Sequence, residues 1–227
     1  MTGARLTWPY RGIRPQWLIR LPGVYRAQHD TWLLAGALSA ERTLPGSRVL
    51  DLCTGSGALA VVAARRGAAH VTAVDISPLA VLSARLNATL RRVPVRVERG
   101  DLHRPGRRGY QFVVANPPYV PAAGTPGPRS RSWAAGPDGR SVLDRICAAT
   151  PRLLGPDGVL LLVQSTLSDE HRTLRDLSAS GLSAEVVARR RLPFGPVLRR
   201  QRSWLRRLGR IRPDQYTEEL VVIRAHA

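Results

Sequence analysis

Arg48-Val-Leu-Asp51-Leu-Cys-Thr54-Gly55-Ser56-Gly57-Ala-Leu-Ala60 decides the architecture of this chain. Its first five residues are short and nearly all apolar, as a strand buried on both faces should be. The glycines that follow permit a tight turn, and the apolar run 58–64 opens a helix at once. Working outward, similar strands are predicted at 70–75, 95–98, 110–115 and 158–164, with others near 184–189 and 219–224. Helix signals fall between them. Ser77-Pro78 reads as an N-cap followed by a first-turn proline, with Leu79, Leu82, Leu86 and Leu90 next at helical spacing. Ser141 and Asp144 resemble a capping box ahead of Leu143 and Ile146, and Asp30 reads as the cap of a helix bearing Leu33, Leu34, Ala37 and Leu38. A further helix is expected near 169–178. Strand alternating with helix predicts an α/β fold with a mostly parallel sheet. Two stretches break the rhythm: the Pro/Gly/Ala-rich 121–138, expected to be an irregular loop, and 192–215, partly helical in pattern and heavily basic.

The 227 residues suit one domain, and 44% apolar content is enough for a core. All 35 basic residues are arginine, and against 16 acids they give a net charge of +19. Coding bias accounts for arginine over lysine but not for the sign, which predicts attraction to a polyanion such as nucleic acid, a ribosome or an acidic protein. Ten of these arginines lie at 189–212 with no acid between them. No apolar run approaches the ~18 residues of a membrane span, and the first residues lack the apolar core of a secretory signal. Cys53 and Cys147 have neither the spacing of a zinc site nor that of a disulfide framework, so a reducing, cytoplasmic setting is expected.

Three features carry chemistry. Asp51, Thr54, Gly55 and Gly57 form a glycine turn at a helix N-terminus, where a ligand can approach the backbone closely. The string Gly55-Ser-Gly57-Ala-Leu-Ala60 also satisfies the dinucleotide pattern. Asp75, beside Ile76, ends the second strand about twenty residues on, where a carboxylate can accept both ribose hydroxyls. Asp101 follows the third strand, where its side chain and the N–H of Leu102 could read the amino edge of an adenine. Asn116-Pro117-Pro118-Tyr119 closes the strand 110–115 and offers oxygens without a base. Such a site suits a planar NH2 group, whose two hydrogens it would accept while Tyr119 packs against the plane.

In these residues the chain resembles the class I S-adenosylmethionine-dependent methyltransferases with an Asn-Pro-Pro-Tyr motif, and within them the short HemK-type release-factor glutamine methyltransferases. The likeness extends to Val24-Tyr25-Arg-Ala-Gln-His-Asp30-Thr31-Trp-Leu-Leu34, although Arg26, Ala27 and His29 depart from the family's pattern there. Gly136-Pro-Asp138-Gly139-Arg140 and Leu154-Gly-Pro-Asp-Gly158 match further landmarks. The resemblance implies a seven-stranded, mostly parallel, doubly wound (Rossmann-like) sheet with an antiparallel last strand. It implies S-adenosylmethionine as cofactor, Tyr25, Asp30, Thr31 and also Asn116 lying against it, and methyl transfer to a glutamine amide of a protein such as a translation release factor. A small activating partner, as for eukaryotic relatives, is compatible with it. Residues 1–23 read as an N-terminal extension and 24–227 as the methyltransferase domain, with a basic insert near 192–215.

Other readings predict different behaviour. An adenine or cytosine amino group in RNA or DNA has the same planar NH2, and the charge favours it, but a sequence-specific DNA enzyme normally needs a separate recognition domain. A small-molecule acceptor leaves the basic surface without a use. A non-catalytic nucleic-acid-binding module would bind no cofactor. A nicotinamide-dependent dehydrogenase would need a proton donor at the strand ends, where only His29 and His103 are near.

Overall fold

A computed structural model describes residues 17–101, 109–124, 127 and 130–227. Leu102 and His103 lie outside the described residues. Seven strands form one sheet: β1 (Arg48–Leu52), β2 (His70–Asp75), β3 (Val95–Arg99), β4 (Tyr110–Ala115), β5 (Leu154–Ser165), β6 (Ser183–Pro193) and β7 (Thr217–His226). Their order is β3-β2-β1-β4-β5-β7-β6. The first five strands are parallel, and β7 runs antiparallel to both β5 and β6. The doubly wound sheet with its antiparallel last strand is therefore as expected.

The helices are α1 (His29–Ala40), α2 (Ala58–Arg65), α3 (Pro78–Leu90), α4 (Leu143–Leu153), α5 (Glu170–Ala179) and α6 (Pro196–Arg207). Right-handed crossovers that leave the middle of a sheet in opposite directions must use opposite faces. Accordingly α2 packs with α1 and α3, while α4 packs with α5. The apolar strands have no face left for water: Val49, Leu50, Leu52, Val113, Val114 and Leu160 are all fully buried. Each such side chain contributes roughly 1.5–3 kcal/mol relative to exposure.

Three local expectations are corrected. On α3 the cap is as read, with Ser77 Oγ accepting from Ala80 N and Pro78 in the first turn, but the leucine row faces outward. Leu82 and Leu90 are 47% and 63% exposed, while Ala80, Val81, Ala84 and Ala88 are buried. The cause is close packing. Gly57 has φ +82°, and a Cβ there would meet Ala84 Cα and Cβ at 3.1 Å, so this face of α3 admits only small residues. Second, α4 starts at Leu143 after Val142 with no side-chain cap, because Asp144 is drawn to Arg140 at 2.7 Å and to Arg172 at 2.7 Å. Third, α1 begins after Gln28, so Asp30 is a first-turn residue and not the cap. Its carboxylate is used elsewhere.

The stretch 121–138 has no helix or strand among its described residues beyond the bridge between Val120 and Ala134. The basic stretch contains α6, whose Leu198 and Leu205 join Leu167, Phe194 and Ile211 in a small second core that also touches Val120 and Trp204. At the other end of the chain, residues 17–23 run along α3: Asn87 bonds both N and O of Ile19 at 2.8 Å, and Leu21 N donates to Ser83 Oγ.

Candidate active site

β1 and β4 are neighbours, and their connections depart in opposite directions, so a crevice opens beyond their carboxyl ends, where open α/β sheets bind ligands. The glycine turn and the Asn-Pro-Pro-Tyr segment both sit there. Asp51 is completely buried. Its Oδ2 accepts from Thr54 Oγ1 at 2.5 Å and from Ala60 N at 3.0 Å, which ties the turn to the start of α2. Its Oδ1 is buried without a partner. Burial pushes this carboxyl up to about 7, against the pull of those two hydrogen bonds, and the nearby Asp75 adds to the rise. An unpartnered buried carboxylate oxygen is costly unless a cation or a donor arrives to meet it.

Asp75 pins the second side of the turn, with Oδ2 accepting from Gly55 N at 2.9 Å and Oδ1 from Ser77 N at 2.9 Å. It therefore both caps the loop before α3 and stands at the position expected for a ribose acid. Burial raises its carboxyl, partly offset by the N–H groups of Ser77, Gly55 and Ile76. Gly55 has φ +55° and open space where a Cβ would be. The Ile76 side chain is 57% exposed. Asp101 is held by Arg145 Nη2 at 2.6 Å. The cysteines are free thiols, and no cluster of metal-binding side chains occurs among the described residues.

The Asn-Pro-Pro-Tyr segment is held by a network that begins in α1. Asp30, 3% exposed, accepts at Oδ1 from Thr31 N (2.6 Å) and Thr31 Oγ1 (3.2 Å). At Oδ2 it accepts from Tyr25 Oη (2.8 Å) and Tyr119 Oη (3.0 Å). Burial and the Asp30 charge raise both phenols, so they remain donors. The hydroxyl of Thr31, having spent its hydrogen on Asp30, accepts from Asn116 Nδ2 at 3.0 Å. A carboxylate accepts and never donates, so the direction of every bond follows, and the carbonyl end of the Asn116 amide is the end left over. Tyr25, Asp30 and Thr31, the residues expected against the cofactor, are thus also joined to the acceptor motif.

The backbone after the motif is fixed as tightly. Ser168 Oγ donates to the Tyr119 carbonyl. A Cβ on Gly139, at φ +75°, would collide with that carbonyl and with Ser168 Oγ. The neighbouring Arg140 is 2% exposed and donates to Ser168 O at 2.6 Å and Asp169 O at 2.8 Å. The Gly139-Arg140 landmark is thus a clamp on the segment that carries Tyr119.

Sequence reading missed Glu218. It stands near the start of β7, whose reversed direction brings it to the same sheet end as Asn116, and it bonds Ser165 close to Asp30. Burial pushes its carboxyl up from 4.5 to about 7, Ser165 opposing and Asp30 adding. The folded state therefore holds this proton more tightly than the unfolded chain, and stability falls as pH rises from about 4.5 to 7. Glu218→Gln removes that loss. Urea unfolding should show the variant no more stable than wild type near pH 5 and more stable at pH 8, by on the order of 2–3 kcal/mol. An equal difference at both pH values would contradict this.

The arginine cluster is narrower than its sequence suggests. Arg189 is paired to Glu170 and Glu219, Arg202 lies 4.0 Å over the Tyr216 ring, and Arg210 donates to Leu167 O. Arg199, Arg200, Arg206 and Arg207 stand exposed together on one face of α6.

A glycine turn and an Asn-Pro-Pro-Tyr segment at the switch point of a 3-2-1-4-5-7-6 sheet define a class I methyltransferase. The family is shown by sequence as well: the model of the methyltransferase small domain matches residues 16–191, and the chain belongs to that family. It is 32% identical to a putative protein N5-glutamine methyltransferase of Methanocaldococcus jannaschii, over 76% of this chain and 88% of that protein. It is 36% identical to a release factor glutamine methyltransferase of Deinococcus radiodurans over 81% of this chain, and spans 65% of that protein's length. Among solved structures, Mtq2 in the E. cuniculi Mtq2–Trm112 complex, responsible for methylation of the termination factor eRF1, shares the fold. Its TM-score is 0.64, with 24% identity over 90% of this chain and 98% of its own.

Proposed function

We infer that the chain uses S-adenosylmethionine to methylate the side-chain amide of a glutamine in a protein, a translation release factor being the leading acceptor. The observation that carries this reading is the side-chain carbonyl of Asn116, the end of the amide that the Asp30–Thr31 network leaves over at the end of β4. The residues present fit the cofactor. It brings ammonium and sulfonium charge, and Asp51 offers a buried oxygen without a partner beside a glycine turn. Tyr25, Asp30, Thr31, Asp51, Thr54, Gly55, Gly57, Asp75, Ile76, Asp101 and Leu102 make up the proposed cofactor side. Asn116, Pro117, Pro118 and Tyr119 make up the acceptor side. When bound, the cofactor supplies an electrophilic methyl group, so the protein's task is alignment, which can supply on the order of 7–11 kcal/mol.

The acceptor nitrogen keeps one hydrogen on Asn116 Oδ1 while the Pro117 carbonyl takes the other. These bonds draw the NH2 out of conjugation and strengthen as the nitrogen becomes positive, which is when they lower the barrier. With the cofactor bound, the nitrogen would take its methyl group as the sulfur leaves as a neutral thioether, and the surplus N–H proton, held meanwhile on these two oxygens, would pass to water. No helix among the described residues is long and apolar enough to cross a membrane. We place the activity in the cytoplasm, on a domain spanning 24–227 after an extension of 1–23. The exposed arginines of α6 are a surface for ribosomal or nucleic-acid contact. A small protein partner, as in the E. cuniculi complex, belongs to the same proposal.

An RNA base is the second acceptor, favoured by those same arginines. Incubation with labelled cofactor and cell extract, followed by separation of protein from RNA and DNA, distinguishes the two. We expect label in protein and a one-carbon mass increase on a glutamine of a release factor. Label confined to RNA would refute the protein acceptor.

A further inference from the structure

Beyond the acceptor motif, a groove of about 240 Å³ separates Ala122, Ala123, Gly124, Ser130, Trp133 and Ala134 from α6. Ala122, Gly124, Trp133, Val197 and Gln201 line it, with Arg200 at the side. Gln201 Nε2 is buried with no hydrogen-bond partner. A buried amide donor left unpaired costs free energy, and an acceptor that enters the groove and reaches it would relieve that cost. The groove is also fixed relative to the chemistry. Ala122 is three residues after Tyr119, hence no more than about 11 Å along the chain. Val120 packs into the second core together with Leu198 and Leu205 of α6, so the motif and the helix are held as one body.

We propose that this groove holds the main chain of the acceptor protein on one side of the methylated glutamine, with Gln201 Nε2 donating to a peptide carbonyl. The inference rests on the protein-glutamine reading and adds the subsite that recognises it. The chemistry selects the occupant. The lining is mainly small and apolar, so backbone can lie close against it, and the two polar side chains on its α6 wall, Gln201 and Arg200, are donors suited to peptide carbonyls. Its volume is below the roughly 300–1,000 Å³ of sites that take drug-sized ligands and of the order of a few small residues. The arginines Arg199, Arg206 and Arg207 do not line the groove. They act on the partner's charge from outside it, whereas the groove sets which backbone enters.

Two acceptors test this: N-acetylglutamine amide, which is too short to reach the groove, and a glycine/alanine peptide with one central glutamine. Wild type should use the peptide with a KM at least tenfold lower. Gln201→Leu, which keeps the bulk and removes the donor, should raise the peptide KM roughly tenfold. It should leave kcat and the reaction of the short amide unchanged. Val197→Trp, which fills the groove, should do the same more strongly, and far-ultraviolet circular dichroism with cofactor titration verifies that both variants are folded. Equal effects on both acceptors, or none, would overturn the groove while leaving the acceptor class intact. Transfer to neither acceptor, with label going to RNA, would overturn both.

Discussion

Asn116→Ala should bind cofactor within about twofold of wild type and lose roughly 10²–10³ in kcat, the size of effect seen when one preorganised hydrogen-bonding group is removed from a reacting centre. The asymmetry follows from the network. Asn116 is held through Nδ2 by Thr31, so its remaining oxygen is the one proposed for the acceptor, and among the described residues no side-chain hydrogen bond ties it to the glycine turn. Calorimetry for the cofactor and single-turnover methyl transfer for the chemistry measure the two separately. Thr31→Val removes the bond that orients the Asn116 amide without touching the amide itself. It should lower kcat by a smaller factor, about tenfold. If Asn116→Ala weakened binding and turnover to the same extent, the assignment of Asn116 to the acceptor would be wrong.

The second large effect concerns Asp51. Its carboxyl stands at about 7 because it is buried, and a cationic cofactor favours the ionised form. Binding therefore expels a proton from the fraction of molecules that carry one, and affinity should rise with pH by about tenfold between pH 6 and 8, then level off. Titrations at pH 7 in two buffers of different ionisation heat should reveal about half a proton released per site. Asp51→Asn keeps an oxygen for Thr54 and Ala60 but cannot ionise. It should lose roughly 10–150-fold in affinity at pH 8, the worth of a hydrogen bond to a charged group, and show no pH dependence between 6 and 8. A flat wild-type profile would exclude Asp51 as the group that meets the positive charge.

How far the sequence could be read depended on whether a signal was local. The runs 48–52, 70–75 and 110–115 match β1, β2 and β4 to the residue, because a strand covered on both faces is apolar throughout. Ser77-Pro78 located the start of α3 since the cap is made three residues away. The buried face of that helix was not legible. It was set by Gly57, from another element, whose close approach admits alanine and turns away Leu79, Leu82, Leu86 and Leu90. In the site, Asp30 and Thr31 carried a recognisable pattern, but their partners Tyr119 and Asn116 lie 89 and 85 positions on. Glu218 and Gln201 had no signature at all. A glutamate before an apolar strand and a glutamine among arginines are ordinary in sequence, and only tertiary packing buried the first and orphaned the second. The arginine run misled in the opposite sense, since ion pairs and a ring contact take several of its members out of the outward face.

The position of β7 has a consequence for how the chain is made. It lies between β5 and β6, so β6, although synthesised earlier, has no strand to pair with until β7 arrives. Its pairings extend to His226, opposite Val159 and Ser183. During synthesis from the N-terminus the five parallel strands can assemble, but β5 keeps an open edge that is apolar from Val159 to Val163, the kind of surface that recruits other chains. β7 also carries Glu218 to the Asn116 end of the sheet. A nascent chain therefore passes through an aggregation-prone stage before its catalytic end is complete, and substitutions in 217–226 should appear first as poor solubility and only afterwards as lost turnover.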